Sequence, residues 1–319
     1  MSAVQTRGEV IGNRIAIAAV LVALFVMLVP IYWIASTAFK PRSLATTVPP
    51  TVFFEPELSP FVKLLTRRSQ LRDPVSPEEY AAAPWWEKTV FDGGEKVVRG
   101  PDGAAKASGY LNRFSNSIIV SVISTFLAVS MGTLTAYGFS RFKVRGEDDW
   151  LFFILSTRMM PPVVVAIPMF LMYRVVGLND THLGLIILYT AFNLSFSVWL
   201  MKGFIDEIPR EYEEAALVDG YTRIEAFFKI VLPEAMTGIA ATAVFCFITA
   251  WNEYAFALIM TNRNAQTAPP YIPSQVGSGL PDWTVIAAGT LIFLIPVAVF
   301  TFLLRNHLLR GMSFGAIRK

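Results

Sequence analysis

Six stretches of largely apolar residues divide the chain, at roughly 15–36, 116–139, 150–173, 183–203, 235–260 and 283–305. Each is close to the ~20 residues that a helix needs to cross a hydrocarbon layer about 30 Å thick. Inside lipid every backbone N–H and C=O needs an internal partner, and a helix supplies one for each. The alternation of period two that marks a membrane barrel is missing from these stretches. The pattern therefore predicts an all-α membrane protein with six transmembrane helices. The third stretch carries Pro161, Pro162 and Pro168. Proline lacks an N–H and clashes with the preceding turn, so this span is expected to be bent or broken.

The polar intervals set the organisation: a short N-terminus (1–14), a first span (15–36), a long segment (37–113), a five-helix core (114–305) and a C-terminal tail (306–319). The basic flank of the first span and its small residues Ala35–Ala38 also suit a signal peptide. Its apolar run is longer than the 7–15 residues of a signal core, which favours a retained span. The long segment is rich in Pro, Gly and charge and includes Trp85 and Trp86. It reads as a solvated, partly disordered cap, or as a docking surface for an external partner, with a short helix over 77–83.

Composition narrows the class. The chain is 54% hydrophobic and 16% charged, against about 25% charged residues in soluble domains. A net charge of +3 is too small to suggest nucleic acid. The one cysteine, Cys246, excludes an internal disulfide, and His182 and His307 are too far apart to suggest a metal cluster. Lys and Arg number 2, 3, 4 and 4 in 1–14, 139–149, 202–234 and 305–319, but one each in 174–182 and 261–282. This bias places both termini in the cytoplasm and the segment 37–113 outside.

The interval 204–234 is the most informative. Pro209 suits a helix start, and Gly220 suits the left-handed residue that ends a helix. Thr222 followed by Glu225 forms a capping-box signature for a second helix, bounded by Pro233. Ile224, Phe227, Phe228, Val231 and Leu232 fall on one helical stripe. In the first helix Ala215 and Ala216 share a face with Ile208 and Tyr212, and small residues permit close approach. Glu211, Glu213 and Glu214 suit a basic partner. A membrane-surface helix is usually rich in Lys and Arg instead, so a protein partner is the better reading of this hairpin.

Glu214-Ala215-Ala216, three residues, Gly220, nine residues, then Ile230, Leu232 and Pro233 resembles the EAA loop of ABC importer permeases. Further similarity to the maltose-transporter type lies in Asn116–Val120, Ala136–Phe142, Trp251–Tyr254 and the tail Gly311–Lys319. The resemblance covers roughly 1–40 and 112–319 and departs in the long segment, which is longer than usual. It implies a coupling helix, between spans four and five, seated in a cleft of an ATPase subunit. Glu214, Ala215, Ala216, Asp219 and Gly220 would make that contact. It also implies a second permease subunit (usually a different chain), two ATPase subunits, an extracytoplasmic solute-binding protein and a bacterial inner-membrane location. The tail is similar to one that inserts between the ATPase subunits. The implied solute is a small carbohydrate or polyol, with amino acids or peptides as the nearer alternative.

The chain has no Gly-x-x-x-x-Gly-Lys-Ser/Thr loop, so ATP and Mg are expected in a partner and no cofactor or catalysis here. Ionisable residues at membrane depth default to function. Arg158 and Glu253 lie well within spans, about 15 Å apart in depth at 1.5 Å rise per residue, too far to pair directly. Arg158 could serve bundle architecture or line a pathway. Asn252, Glu253, Tyr254 and Trp251 on span five, with Asn193 on span four, could bind hydroxyl groups or simply bond helix to helix. An ion-coupled transporter would want inverted repeats and midplane carboxylates, and a channel does not explain the hairpin.

Overall fold

The computed structural model describes residues 7–277 and 280–314. By their contacts the residues fall into two compact units. One comprises residues up to Gly109 with Ser274–Ile292, and the other Tyr110–Pro273 with residues from Phe293 onward.

In the first unit, α1 (Arg7–Ala38) has every side chain from Ile11 to Trp33 exposed. A long stretch of helix that is apolar and exposed on all sides suits a lipid environment. The following segment is ordered, which corrects the expectation of partial disorder. It contains α2 (Ser59–Leu65), β1 (Arg68–Gln70), α3 (Pro77–Ala82), α4 (Trp85–Phe91) and β2 (Glu95–Val97), with β1 and β2 antiparallel. Its order has physical causes. Leu64 and Val90 form a small core, and Glu95 is bonded to Arg68 and Glu87 to Arg99. Ser76 caps α3, accepting from the Glu79 N–H at 3.2 Å, just before a proline suited to the first turn. Trp85 is exposed, while Trp86 is half-buried.

The second unit is helical. It comprises α5 (Tyr110–Arg141), α6 (Glu147–Ser156), α7 (Pro162–Val175), α8 (His182–Asp206), α9 (Arg210–Val218), α10 (Arg223–Ala226), α11 (Leu232–Glu234), α12 (Met236–Trp251), α13 (Ala255–Met260) and α14 (Ala268–Tyr271). A two-residue ribbon, β3 (Val276–Gly277) with β4 (Leu280–Pro281), precedes α15 (Trp283–Phe314). Among the described residues four helices are long and apolar enough to cross a membrane alone, or up to six spans if each bent pair counts as one.

The third span breaks as expected: Glu147–Met159 and Pro162–Val175 meet at 90°. The fifth does not run unbroken through 235–260. Its main helix stops at Trp251, and α13 starts again at Ala255. Glu253 explains the restart. Its carboxylate accepts the N–H groups of Phe256 (2.9 Å) and Ala257 (3.1 Å), satisfying the orphan donors of the new helix.

The spine of this unit is the α5–α8 pair. On α5 the buried residues Ser117, Ser121, Ala128, Gly132, Ala136 and Ser140 form a small-residue stripe that lets the two backbones approach closely. At Gly132 the approach is close enough to put Ser197 of α8 where a side chain would stand. Two apolar clusters flank the pair. One gathers Val120, Tyr173, Leu185, Tyr189, Phe256 and Met260, and the other Ala136, Tyr137, Met201, Ile205, Phe227 and Val231.

The loop before α8 is tied to the loop after α13. The Asp180 carboxylate accepts the N–H groups of Asn262, Arg263, Asn264 and Ala265 at 3.0–3.2 Å, and its own N–H donates to the Met260 carbonyl. Asn116 joins the same knot, bonding the carbonyls of Asn264 and Gln266 (both 2.9 Å) and His182 Nε2 (2.7 Å). Burial would push the Asp180 acid up, but the backbone N–H groups outweigh it and hold the group below the usual carboxylate range. A depressed pKa means stability that is present above the unfolded value, about 3.9, and lost as pH falls through the folded one. Amide exchange at 262–265 is accordingly expected to accelerate below about pH 4. Asp180→Asn should flatten that pH dependence, and an unchanged profile would count against the staple.

Candidate functional site

The hairpin that follows α8 is built by local chemistry. Pro209 stands at the N-cap of α9, one position earlier than a first-turn residue. The helix ends in a Schellman closure. Gly220 is left-handed (φ +91°), its N–H donates to the Leu217 carbonyl at 3.1 Å, and the Tyr221 N–H donates to that of Ala216 at 3.0 Å. The second helix opens with a complete capping box. The Glu225 N–H donates to Thr222 Oγ1 (3.3 Å), and the Thr222 N–H donates to Glu225 Oε2 (2.8 Å). Phe227–Val231 is a π-helical stretch just before Pro233. Proline has no N–H to continue the α ladder, and a widened turn accommodates the gap.

This hairpin is clamped to the end of α5. Arg141 Nε is bonded to Glu213 Oε2, and Tyr137 Oη donates to Glu213 Oε1 at 2.7 Å. Arg141 also donates to the Ile208 carbonyl at 2.9 Å, and Arg210 donates to the Ser140 carbonyl at 2.7 Å. Ser140 is bonded to Asp206 at the end of α8, and Asp206 accepts from Lys202 at 2.7 Å. The side chains of Arg141 and Glu213 are only 5% and 9% exposed, so this ion pair is internal.

The clamp corrects two expectations. Glu213 does not await an outside base, because Arg141 occupies it. Ala215 and Ala216 do not share a surface. Ala216 is buried under the helix, whereas Tyr212, Glu214, Ala215, Val218, Asp219 and Gly220 are exposed. The apolar stripe of the second helix divides too. Phe227 and Val231 enter the core with Tyr137, while Ile224 and Phe228 are exposed on its flank. The hairpin thus presents a face that the described residues leave uncovered. Tyr137, Ser140 and Arg141, which hold it together with Arg210, lie in the segment Ala136–Phe142 of the family resemblance, which gave them no role. The signal for the contact was a basic residue at the end of a span, facing an acid-rich helix.

The polar residues at membrane depth divide by role. Trp251 is buried, donates from Nε1 to the Phe293 carbonyl at 3.1 Å, and stacks on Phe247 and Phe293. Asn193 is buried and donates to the Cys246 carbonyl at 3.3 Å. Glu253 accepts from Tyr189 Oη at 2.7 Å besides capping α13. These three face the interior of the helical unit. Asn252 and Tyr254 are exposed. Arg158 does not serve the carbonyls freed by the proline break. Its guanidinium lies over the rings of Phe192 (5.2 Å) and Phe196 (4.8 Å), and Nη1 has no hydrogen-bond partner among the described residues. It borders a cavity of about 250 Å³ lined also by Met160, Met169, Ser195 and Phe256. Among the described residues no three His, Cys, Asp or Glu side chains gather to hold a metal ion. The tail from residue 315 onward lies outside the described residues.

Comparisons with known proteins bear on this geometry. Residues 125–314 match the family model described as the binding-protein-dependent transport system inner membrane component. A probable ABC transporter permease protein of Sinorhizobium fredii is 28% identical over 92% of this chain and 91% of its own length. That alignment leaves too little of the chain unmatched to omit the domain before α5, so most of that domain has a counterpart there. A trehalose transport system permease protein of Mycobacterium tuberculosis is 34% identical over 64% of this chain and 75% of its own length. The crystal structure of a bacterial ABC transporter involved in the import of alginate, an acidic polysaccharide, has a chain of the same fold. It has a TM-score of 0.67 at 20% identity and covers 96% of this chain and all of that one. With a family match over more than half its length and a helical hairpin clamped after its fourth span, the chain belongs to the inner-membrane permease components of binding-protein-dependent ABC importers.

Proposed function

We propose that this permease subunit moves a sugar or polyol into the cell, and that α9 is the element through which a separate ATPase subunit drives it. The observation that carries the reading is the uncovered face of α9, with Glu214, Ala215, Asp219 and Gly220, on a helix fixed from behind by Arg141. An exposed acidic and small-residue face suits insertion into a cleft with basic walls. A rigid mount suits the transmission of force. The Lys and Arg bias supports the same arrangement, with the hairpin and both termini in the cytoplasm and the domain between α1 and α5 outside. The carbohydrate class is supported by the trehalose permease relative and by the exposed amide and phenol of Asn252 and Tyr254.

In the mechanism, ATP draws two ATPase subunits together, each holding the coupling helix of one permease. Their approach rocks the spans from inward-facing to outward-facing. A loaded solute-binding protein delivers solute to the cavity, and hydrolysis resets the cycle. The change is driven by the different affinities of the partners for the two states. Asn252, Tyr254 and Arg158 are the proposed solute contacts. Trp251, Asn193 and Glu253 hold the walls that carry them.

The test uses the exposed face, where substitution spares the core. Ala215→Trp in the reconstituted complex is expected to cut solute-stimulated ATPase at least about tenfold, the loss of one well-buried interface contact, with membrane insertion intact. Wild-type stimulation from that variant would remove α9 from the interface.

A further inference from the structure

The domain between α1 and α5 carries a polar cavity that the transport reading leaves unused. It measures about 550 Å³, within the range of ~300–1,000 Å³ for small-molecule sites. Arg42, Glu57, Ser59, Lys63, Thr89 and Asp92 line it. Pro41 supplies the one apolar side chain of its lining, so polar groups set what it would bind.

Lys63 is its unusual member. The residue is 5% exposed, yet among the described residues its ammonium makes no ion pair and donates no hydrogen bond. Buried charges are normally paired, because desolvation is costly. Gly93 passes so close that a methyl group there would lie 2.5 Å from Lys63 Nζ. Burial pushes the ammonium below the usual lysine range, while Asp282 and Glu95 pull it partly back. Asp282 is itself fully buried, with Oδ2 unbonded among the described residues. The structure therefore holds a largely buried lysine at the wall of a cavity, its ammonium without an acceptor among the described residues.

The rest of the lining indicates what would fill it. Glu57 accepts from Ser59 Oγ at 2.9 Å, and Asp92 accepts from Tyr80 Oη at 2.9 Å. Each carboxylate keeps its other oxygen without a hydrogen bond to the described residues. Two cations and two carboxylates thus face one space, with hydroxyl groups between them. An anionic solute would meet Glu57 and Asp92, and a cationic one would meet Arg42 and Lys63. A neutral, hydroxyl-rich solute satisfies both kinds of wall. Its oxygens accept from the Lys63 ammonium, and its hydroxyl groups donate to the carboxylates, in charge-assisted bonds. We infer that this cavity is a binding site for a neutral saccharide or polyol of mono- to disaccharide size, separate from the membrane pathway. The inference rests on the proposed function only for the side of the membrane on which the site opens.

The experiment measures binding rather than transport, so the two readings fail separately. The full chain is reconstituted with its partner subunits in lipid nanodiscs, without a solute-binding protein. It is titrated calorimetrically with trehalose, maltose and sorbitol, and with glucuronate and glucosamine as charged counterparts. At least one neutral probe should bind, and both charged ones more weakly. Lys63→Met should weaken that binding at least about tenfold, the effect of losing a hydrogen bond from a charged group. Ser43→Trp fills the cavity from an exposed rim position without touching the buried lysine, and it should do the same if Lys63→Met fails to fold. All titrations use the Tyr254→Ala background, so that a contact proposed for the membrane pathway does not add to the signal. Absence of binding by every neutral probe, or binding that survives Ser43→Trp, would overturn the assignment. Loss of ATPase coupling in Ala215→Trp with saccharide binding unchanged would leave it standing.

Discussion

Replacing Arg141 with alanine is expected to detach the hairpin from the span that holds it. Breaking a buried ion pair by removing one partner costs about 3–5 kcal/mol, because the other charge stays buried and uncompensated. Here the stranded group is the Glu213 carboxylate, left with Tyr137 Oη alone. Arg141 also holds the Ile208 carbonyl and Ser140 Oγ, and those bonds go with it. Glu213→Ala should be milder, since Arg141 keeps both. The double variant Arg141→Met with Glu213→Leu removes both charges and should recover most of the stability. The measurement is amide exchange over residues 208–218 in the reconstituted complex, alongside solute-stimulated ATPase. Arg141→Ala should raise exchange and lose stimulation together, and the double variant should separate packing from charge. Exchange at the wild-type rate in Arg141→Ala would show that something else fixes the hairpin.

A second substitution with a large expected effect is Gly132→Leu. A Cβ at this position would already collide with the Ser197 side chain and come within 3.1 Å of its backbone carbonyl carbon. Relief would require α5 and α8 to separate, undoing a small-residue contact that runs the length of both. Overpacking a filled core costs about 1–3 kcal/mol and occasionally more. Because backbone is the obstacle here, the upper end is expected, about 3 kcal/mol. The check is the midpoint of thermal unfolding, followed by monodispersity in detergent. Gly132→Leu should fall sharply, while Gly138→Ala on the same helix should behave as wild type, since nothing lies within 4 Å of a Cβ there. Similar melting of both variants would mean that α5 and α8 tolerate separation.

Much of this architecture was legible in the sequence because lipid imposes a simple rule on long apolar runs. The first, second, fourth and sixth spans follow it without interruption, and the Pro161-Pro162 pair announced the break in the third. The break in the fifth was not legible, because its cause is tertiary. Nothing local says that the Glu253 carboxylate turns back to cap Phe256 and Ala257 while holding Tyr189. The hairpin was legible where its signals are local: Thr222 with Glu225, and Gly220 at a helix end. Its orientation was not. Helical periodicity placed Ala215 beside Ala216 and Ile224 beside Phe227, but a neighbour decides which half of a face is covered, and that neighbour is Tyr137 on a helix far away in sequence. The domain before α5 was hardest to read. Its charged residues suggest solvent, yet Glu95, Glu87 and Lys63 are buried, two of them through partners that only the fold brings near.

The small-residue stripe on α5 carries a mechanical consequence. Where two backbones touch through Ser, Ala and Gly, there are few long side chains to re-pack and little slack to absorb shear. A push on α9 through Arg141 should therefore swing α5 and α8 as one stiff lever. Compliance has to reside elsewhere in this subunit, and the helices are already interrupted at Met160–Pro161 and at Asn252–Tyr254. Those two joints are where the bundle would flex, and each adjoins a residue, Arg158 or Tyr254, that the proposed route would touch.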